Sequence, residues 1–213
     1  MRGKFITIEG QDGAGKTTNV SVIKECLENN NIEFIHSREP GGTQLGESVR
    51  ELILNSNNTH ADQLNIGDKA ELLLMFAARA QHIQDIIEPA LSKGVWVLCD
   101  RFTDASYAYQ GGGRGMPMSD IQLLENYVQS GLSPDLTLLL DLPVDVGESR
   151  AGQRSAPDRF EIQKQDFKNA VRNCYLARAK AEPGRIKVVD ASESFEAVSL
   201  AVQSVVTRFI QDA

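Results

Sequence analysis

A glycine-rich run near the start of the chain restricts its fold more than any other feature. The run covers residues 10–17, and it has glycine at positions 10 and 15, lysine at position 16 and threonine at position 17. It directly follows an apolar segment at residues 5–8, and Val20, Ile23 and Leu27 then recur at helical spacing. A glycine-rich turn between a strand and a helix presents several backbone N–H groups to one anion without side-chain clashes. The sequence therefore predicts a nucleotide-binding strand, loop and helix.

Each residue type in this loop suits a bound triphosphate. Lys16 supplies a mobile positive charge for the β- and γ-phosphates, and the Thr17 hydroxyl can ligate Mg²⁺. We expect the triphosphate to be held by the loop and the first helical residues, namely Gly10, Gln11, Asp12, Gly13, Ala14, Gly15, Lys16, Thr17 and Thr18.

Apolar runs that are rich in strand-forming residues alternate with stretches of helical periodicity. The runs cover residues 5–9, 32–37, 95–99, 136–142 and 186–189. This alternation predicts an α/β protein with a five-stranded parallel sheet and helices on both faces. Together with the phosphate loop, it leads us to expect the P-loop NTPase fold. A chain of 213 residues suffices for one such domain, which we expect to span residues 1–213. Polar residues that follow the strands should converge, because ligands bind beyond the carboxyl ends of parallel strands.

Charge and composition exclude several classes of partner. A net charge of −7 argues against a nucleic-acid-binding protein, because affinity for phosphate backbones comes from clustered Lys and Arg. No apolar segment approaches the length of a membrane span, so we expect no membrane association. The cysteines Cys26, Cys99 and Cys174 are too far apart for a metal motif. Together with their odd number, this predicts free thiols and a cytoplasmic location.

Arginines follow the second predicted strand. Arg38 precedes Pro40, Gly41 and Gly42, a combination typical of a tight turn. A guanidinium group aimed by this turn can bind a phosphate with two parallel hydrogen bonds, and Arg50 on the next helix could join it. A surface ion pair is the alternative for each of the two.

An adjacent carboxylate and guanidinium group follow the third predicted strand. Asp100 would lie beside the phosphate loop in the expected fold, where it can hold Mg²⁺ or its waters. Arg101 would face phosphoryl oxygens there. The alternative is a local ion pair without a ligand.

Residues 68–91 have helical spacing with an arginine inside the apolar stripe. Leu72, Met75, Phe76 and Arg79 fall near one face. A planar base stacked on the aromatic ring, with Arg79 donating to a carbonyl oxygen, would explain the arginine. The spacing alone favours core packing over such a pocket. We expect His82, one turn beyond Arg79, on the helix surface or at an interface.

Six segments together resemble the bacterial thymidylate kinases. They are residues 9–18, 38–43, 76–81, 100–102, 108–115 and 158–161, and they occur in the family's order over essentially the whole chain. The resemblance implies ATP-dependent phosphorylation of dTMP to dTDP by direct in-line transfer, with Mg²⁺, in a homodimer. The main alternative is a related nucleoside monophosphate kinase with another base preference. A GTP-binding switch is disfavoured because the chain has no Asn-Lys-x-Asp motif.

The resemblance also implies roles for individual acceptor-site residues. Asp12 would contact the sugar 3′-hydroxyl, and Arg38 and Arg101 would hold the acceptor phosphate and the γ-phosphate in transit. Arg79 and Gln110 would contact the thymine edge.

Further contacts are implied at the base and the sugar. Ser106 would be a secondary contact near the pyrimidine, and Tyr109 would press against the deoxyribose, which favours deoxynucleotides. Members of the family often place an aromatic residue four positions before the arginine that contacts the base. That position is Met75 here, with Phe76 next to it, so the stacking residue stays open.

The phosphate loop contains no arginine, which implies the family's second layout, with arginines in a lid. We expect this lid at about residues 150–160, with Arg150, Arg154 and Arg159 near it and Arg154 closing over the donor. The residues expected to act in catalysis are Lys16, Arg38, Asp100, Arg101 and Arg154.

Overall fold

A five-stranded parallel sheet forms the centre of the computed structural model, which describes residues 2–54, 66–151 and 159–213. Its strands are β1 (Phe5–Gly10), β2 (Phe34–Arg38), β3 (Trp96–Asp100), β4 (Leu136–Asp141) and β5 (Ile186–Asp190). Their order in the sheet is β2, β3, β1, β4, β5, and every neighbouring pair is parallel. The predicted fold class is confirmed, and the strand bounds differ from the predicted runs by at most two residues.

Helices connect the strands and cover both faces of the sheet. In the described part of the chain they are α1 (Lys16–Asn29), α2 (Gln44–Leu54), α3 (Asp68–His82), α4 (Glu88–Ser92), α5 (Thr103–Ser106), α6 (Met118–Gln129), α7 (Val144–Ala151), α8 (Gln165–Ala181) and α9 (Phe195–Gln211). A π-helical turn, Ile83–Ile87, joins α3 to α4, so the helix predicted over residues 68–91 is one helical segment with a local change of pitch. None of these helices is long and apolar enough to cross a membrane.

Alternate residues of the central strands enter two different cores. Ile6 and Ile8 of β1 pack in a cluster that includes residues of α1 and α9. Phe5 points to the opposite face and packs with Ile83 and Ile87 of the π-helical turn. This alternation follows from the two-residue repeat of a strand, and it explains the nearly continuous apolarity of strands that are covered on both sides.

The strand register aligns the polar ends of three strands. Ile8 of β1 pairs with Asp100 of β3, and Asp100 in turn pairs with Arg38 of β2. The phosphate loop, which begins where β1 ends, therefore lies at the same sheet edge as the residues that follow β2 and β3.

Candidate functional site

The phosphate loop is shaped by backbone conformations that favour glycine. Gly13 and Gly15 have φ angles of 80° and 82°, in the left-handed region, and α1 begins directly afterwards at Lys16. A Cβ atom on Gly13 would lie only 2.2 Å from the carbonyl oxygen of Gly147 in α7. The loop backbone thus packs against a second helix, which leaves no room for a side chain at position 13.

The Lys16 ammonium group lies against the loop itself. Its Nζ donates to the carbonyl oxygens of Gly10 and Gln11, each at 3.0 Å, and lies 3.8 Å from the Asp12 carboxylate. Burial and the neighbouring Arg101 charge lower the pKa of Lys16, while nearby carboxylates act in the opposite direction. The residue is thus a buried cation within the curve of the loop.

Asp100 provides a buried carboxylate oxygen beside this cation. Its charge acts on Lys16, and its Oδ1 has no hydrogen-bond partner among the described residues. Those residues contain no cluster of three or more side chains that could form a protein-only metal site. Mg²⁺ is usually held by one or two protein ligands together with phosphates and waters, so Asp100 and the Thr17 hydroxyl fit that ion.

Arg101 links the end of β3 to the phosphate loop. Its φ angle of 71° is unusual for a residue other than glycine, and its N–H donates to the Ile8 carbonyl at 3.0 Å. Its side chain donates to the Gly10 carbonyl at 2.7 Å and to Asp12 Oδ1 at 3.0 Å. The charges of Arg101 and Lys16 lower the pKa of Asp12 against the opposing effect of burial. The surrounding contacts therefore fix a strained backbone at a point where two cations and a carboxylate meet.

Glu9 lies fully buried beneath this group, at a position for which the sequence predicts no role. It accepts from the Phe102 N–H and from the Tyr175 hydroxyl, both at 2.7 Å. Burial and the Asp104 charge raise the pKa of Glu9 to about 7. The signal in the sequence that could have identified it is an acidic residue next to the end of a largely apolar strand.

A cleft of about 640 Å³, including the solvent at its mouth, adjoins the loop. Its walls include seven residues that the sequence assigned to the acceptor: Asp12, Arg50, Met75, Arg79, Arg101, Ser106 and Tyr109. Asp12 belongs to both the loop and the cleft, so the two sites are contiguous.

Arg79 is a cleft residue with a tightly fixed side chain. It is only 3% exposed, and its Nε donates to Glu39 at 2.7 Å while Nη2 donates to the Phe102 carbonyl at 3.2 Å. The guanidinium group also lies over the rings of Phe76 and Phe102, at 4.7 and 5.1 Å from their centroids. Nη1 is buried, and it is the one guanidinium nitrogen that lacks a hydrogen-bond partner among the described residues.

Two residues expected at the base lie elsewhere. Phe76 is buried in a cluster with Leu72 and Tyr107, and the described cleft walls include its neighbour Met75 instead. Gln110 is also fully buried, and its Nε2 donates to Glu71 at 3.0 Å. Among the described residues, Phe76 and Gln110 therefore do not line the cleft, because both side chains pack in the interior.

Arg38 and Arg50 lie in two different environments. Arg38 is exposed and pairs with Glu47 at 2.9 Å, which is the surface ion pair considered as its alternative. Arg50 donates to the Pro40 carbonyl at 3.0 Å and lines the cleft. Of the two, Arg50 is the one that lines the cleft among the described residues.

The arginines of the expected lid region have separate anchors. Arg150 donates to the carbonyl oxygens of Ala191 and Ser192, in the connection between β5 and α9, at 2.6 and 3.2 Å. Arg159 pairs with the buried Glu71 at 3.3 Å. Arg154 lies outside the described residues, so its expected place over the donor stays a prediction.

His82 is not on the helix surface, and that expectation is wrong. It is fully buried, its Nδ1 lies 2.9 Å from Glu39 Oε1, and its Nε2 lies 2.6 Å from the Ser37 hydroxyl. The helical segment turns this side of α3 toward the sheet, where polar groups at the end of β2 satisfy the imidazole ring.

Comparisons with known proteins identify the family of this chain. The thymidylate kinase family model matches residues 8–202. A thymidylate kinase from Neisseria meningitidis is 50% identical over 98% of this chain and 98% of its own, and one from Methylococcus capsulatus is 52% identical over 98% and 97%. The crystal structure of thymidylate kinase from Ehrlichia chaffeensis superposes with a TM-score of 0.74 at 33% identity, covering 96% of this chain and 98% of its own. This chain therefore belongs to the thymidylate kinase family.

Proposed function

We propose that this protein transfers the γ-phosphoryl group of ATP to dTMP, giving dTDP and ADP. Family membership supports the reaction and the use of ATP as donor. The structural observation that carries the proposal is that Asp12 belongs to both the phosphate loop and the adjoining cleft. Direct transfer requires donor and acceptor phosphates in neighbouring sites, aligned for attack.

Catalysis in this site rests on alignment and charge neutralisation. The attacking group is already a phosphate oxygen, so no strong general base is needed. Lys16 and the loop N–H groups bind the donor phosphates, while Arg101 exchanges its contact with Asp12 for phosphoryl oxygens. Arg50 binds the acceptor phosphate from the cleft wall, and Arg38 joins it once it leaves its exposed ion pair with Glu47.

The donor site would hold Mg²⁺, which would supply positive charge to neutralise the β- and γ-phosphates. Thr17 and the unpartnered Asp100 oxygen are the groups that would hold it or its waters.

The base is recognised at the inner end of the cleft. Nη1 of Arg79 donates to a carbonyl oxygen on the pyrimidine edge, and Met75 supplies apolar contact to the ring. Ser106 is a secondary contact, and Tyr109 packs against the deoxyribose.

The finer organisation follows the family resemblance. We propose one domain over residues 1–213, with a lid at about residues 150–160 from which Arg154 closes over ATP. We also propose a cytoplasmic homodimer that binds no nucleic acid.

Three exposed side chains on α3 and α6 support the dimer: Leu73, Leu123 and Tyr127 are 56%, 66% and 82% exposed. Gel filtration of Tyr127→Asp beside the unaltered protein tests this face.

A coupled assay with ATP and dTMP tests the function. We expect ADP to form at the rate of dTDP and dTMP to be preferred over dUMP, dCMP and GMP. Turnover with another monophosphate in place of dTMP would favour the alternative, a related kinase with a different base preference.

A further inference from the structure

We infer that His82 is a positioning residue that aims Arg79 at the base and thereby sets discrimination between thymine and cytosine. The inference rests on the proposed function, because it assigns a role to a residue behind the acceptor cleft. His82 is fully buried and is not among the described residues that line the cleft, so it acts through Arg79 rather than on the substrate.

A continuous chain of hydrogen bonds connects His82 to the cleft. His82 Nδ1 lies 2.9 Å from Glu39 Oε1, and Arg79 Nε lies 2.7 Å from Glu39 Oε2. The two oxygens of one buried carboxylate are thus divided between the histidine and the arginine. A carboxylate held at both oxygens cannot turn, so the position of Glu39 and the direction of the guanidinium plane are set together.

The outer end of this chain is fixed as well. In a neutral imidazole that donates from Nδ1, Nε2 accepts a hydrogen bond, and the Ser37 hydroxyl lies 2.6 Å away to provide it. A Cβ atom on Gly42 would lie 2.5 Å from Ser37 Oγ and 2.7 Å from His82 Nε2. The turn after β2 therefore packs closely over the pair and holds the ring in one orientation.

Contacts on the other side of the guanidinium group complete the placement of Arg79. Nη2 is bound by the Phe102 carbonyl, and the Phe76 and Phe102 rings hold the guanidinium group. Nη1 remains as the donor for a ligand. A donor at this point favours the carbonyl of thymine and disfavours the amino group that cytosine carries at the same ring position.

A comparison of dTMP with dCMP and dUMP as substrates separates the positioning role of His82 from a general loss of acceptor binding. dCMP differs from dTMP at the group that Arg79 would contact, whereas dUMP differs only by a methyl group. A change in the orientation of the Arg79 guanidinium group should therefore alter the ratio of kcat/KM for dTMP to kcat/KM for dCMP. The corresponding ratio for dTMP and dUMP should stay unchanged.

The test compares His82→Leu, which removes both imidazole contacts, with His82→Asn, whose amide can still donate to Glu39. For His82→Leu we expect the KM for dTMP to rise about fivefold and the dTMP to dCMP ratio to fall by about the same factor. The KM for ATP and the value of kcat should stay within twofold. His82→Asn should restore the dTMP to dCMP ratio to within twofold of that of the unaltered protein.

Thr7→Val is the matched control, because it removes one buried hydroxyl contact, with Thr137 at 2.7 Å, away from the cleft. It should lower the melting temperature and leave both ratios unchanged. If His82→Leu does not fold, Ser37→Ala is measured instead, with an expected fall of about twofold in the dTMP to dCMP ratio.

An unchanged dTMP to dCMP ratio in His82→Leu, or in Ser37→Ala where that variant is measured instead, would overturn the inference, as would equal losses for dTMP and ATP. Failure of the unaltered protein to phosphorylate dTMP would instead overturn the proposed function, so the two failures are distinguishable.

Discussion

The phosphate loop and the acceptor cleft lie side by side but are built in different ways. The loop is a run of consecutive residues whose backbone forms the site, with left-handed glycines and a helix that begins at Lys16. The cleft is formed by side chains from distant parts of the chain, and Arg79 is held by a residue 40 positions away. A backbone site is sensitive to any added atom, whereas a side-chain site depends on the groups that hold its side chains in place.

The largest expected effect tests whether the loop supplies the charge for transfer. Lys16→Met should lower kcat about a thousandfold, because it removes a preorganised cation from the migrating phosphoryl group. Lys180→Met, at an exposed position on α8, is the control and should keep its activity. The KM for dTMP should change little in steady-state kinetics; a large rise with normal kcat would place Lys16 on the acceptor side.

The backbone character of the loop is tested at Gly13. Gly13→Ala should reduce the free energy of unfolding by about 3 kcal/mol, from its left-handed φ angle and the contact with the Gly147 carbonyl. Gly184→Ala has open space around its Cβ atom and should change stability by about 0.5 kcal/mol or less. Urea denaturation measures both, and similar losses in the two variants would contradict this account of the loop.

Glu9 lies at the boundary between the two regions, and its protonation should be visible in stability. Its pKa is raised to about 7 in the fold from an ordinary value of 4.5, so the folded state holds the proton more tightly. The stabilisation from this group is full below pH 4.5 and is lost as the pH rises through 7. It amounts to about 3 kcal/mol at most.

Urea denaturation between pH 5 and pH 8 tests this linkage by comparison with Glu9→Gln. The free energy of unfolding should fall with rising pH more steeply in the unaltered protein than in the variant. Parallel curves would show that Glu9 does not titrate in this range.

The smallest effect tests the side-chain character of the cleft. Arg79→Ala should raise the KM for dTMP about thirtyfold, because one hydrogen bond to a charged donor is lost. The KM for ATP should stay within twofold in the same assay, with Arg79→Lys as a comparison that keeps the charge but not the planar fork. Equal losses for dTMP and ATP would remove the base contact from Arg79.

The difference between the loop and the cleft also explains which features could be predicted from the sequence. The five strands and the phosphate loop were predictable because their signals are local: apolar runs and a glycine-rich motif. The sequence also identified seven cleft residues, largely through family resemblance. The buried places of His82 and Gln110 were missed, because each depends on a partner far away in the chain, Glu39 for His82 and Glu71 for Gln110. Helical spacing shows that residues share a face, but it does not show which of them the neighbouring layer covers.

The contact between Asp12 and Arg101 couples the binding of the two substrates. The pair spans both halves of the site, so a phosphate that draws Arg101 away changes the charge that Asp12 presents next to Lys16. The two substrates are then linked thermodynamically. The factor by which dTMP alters the affinity for ATP must equal the factor by which ATP alters the affinity for dTMP.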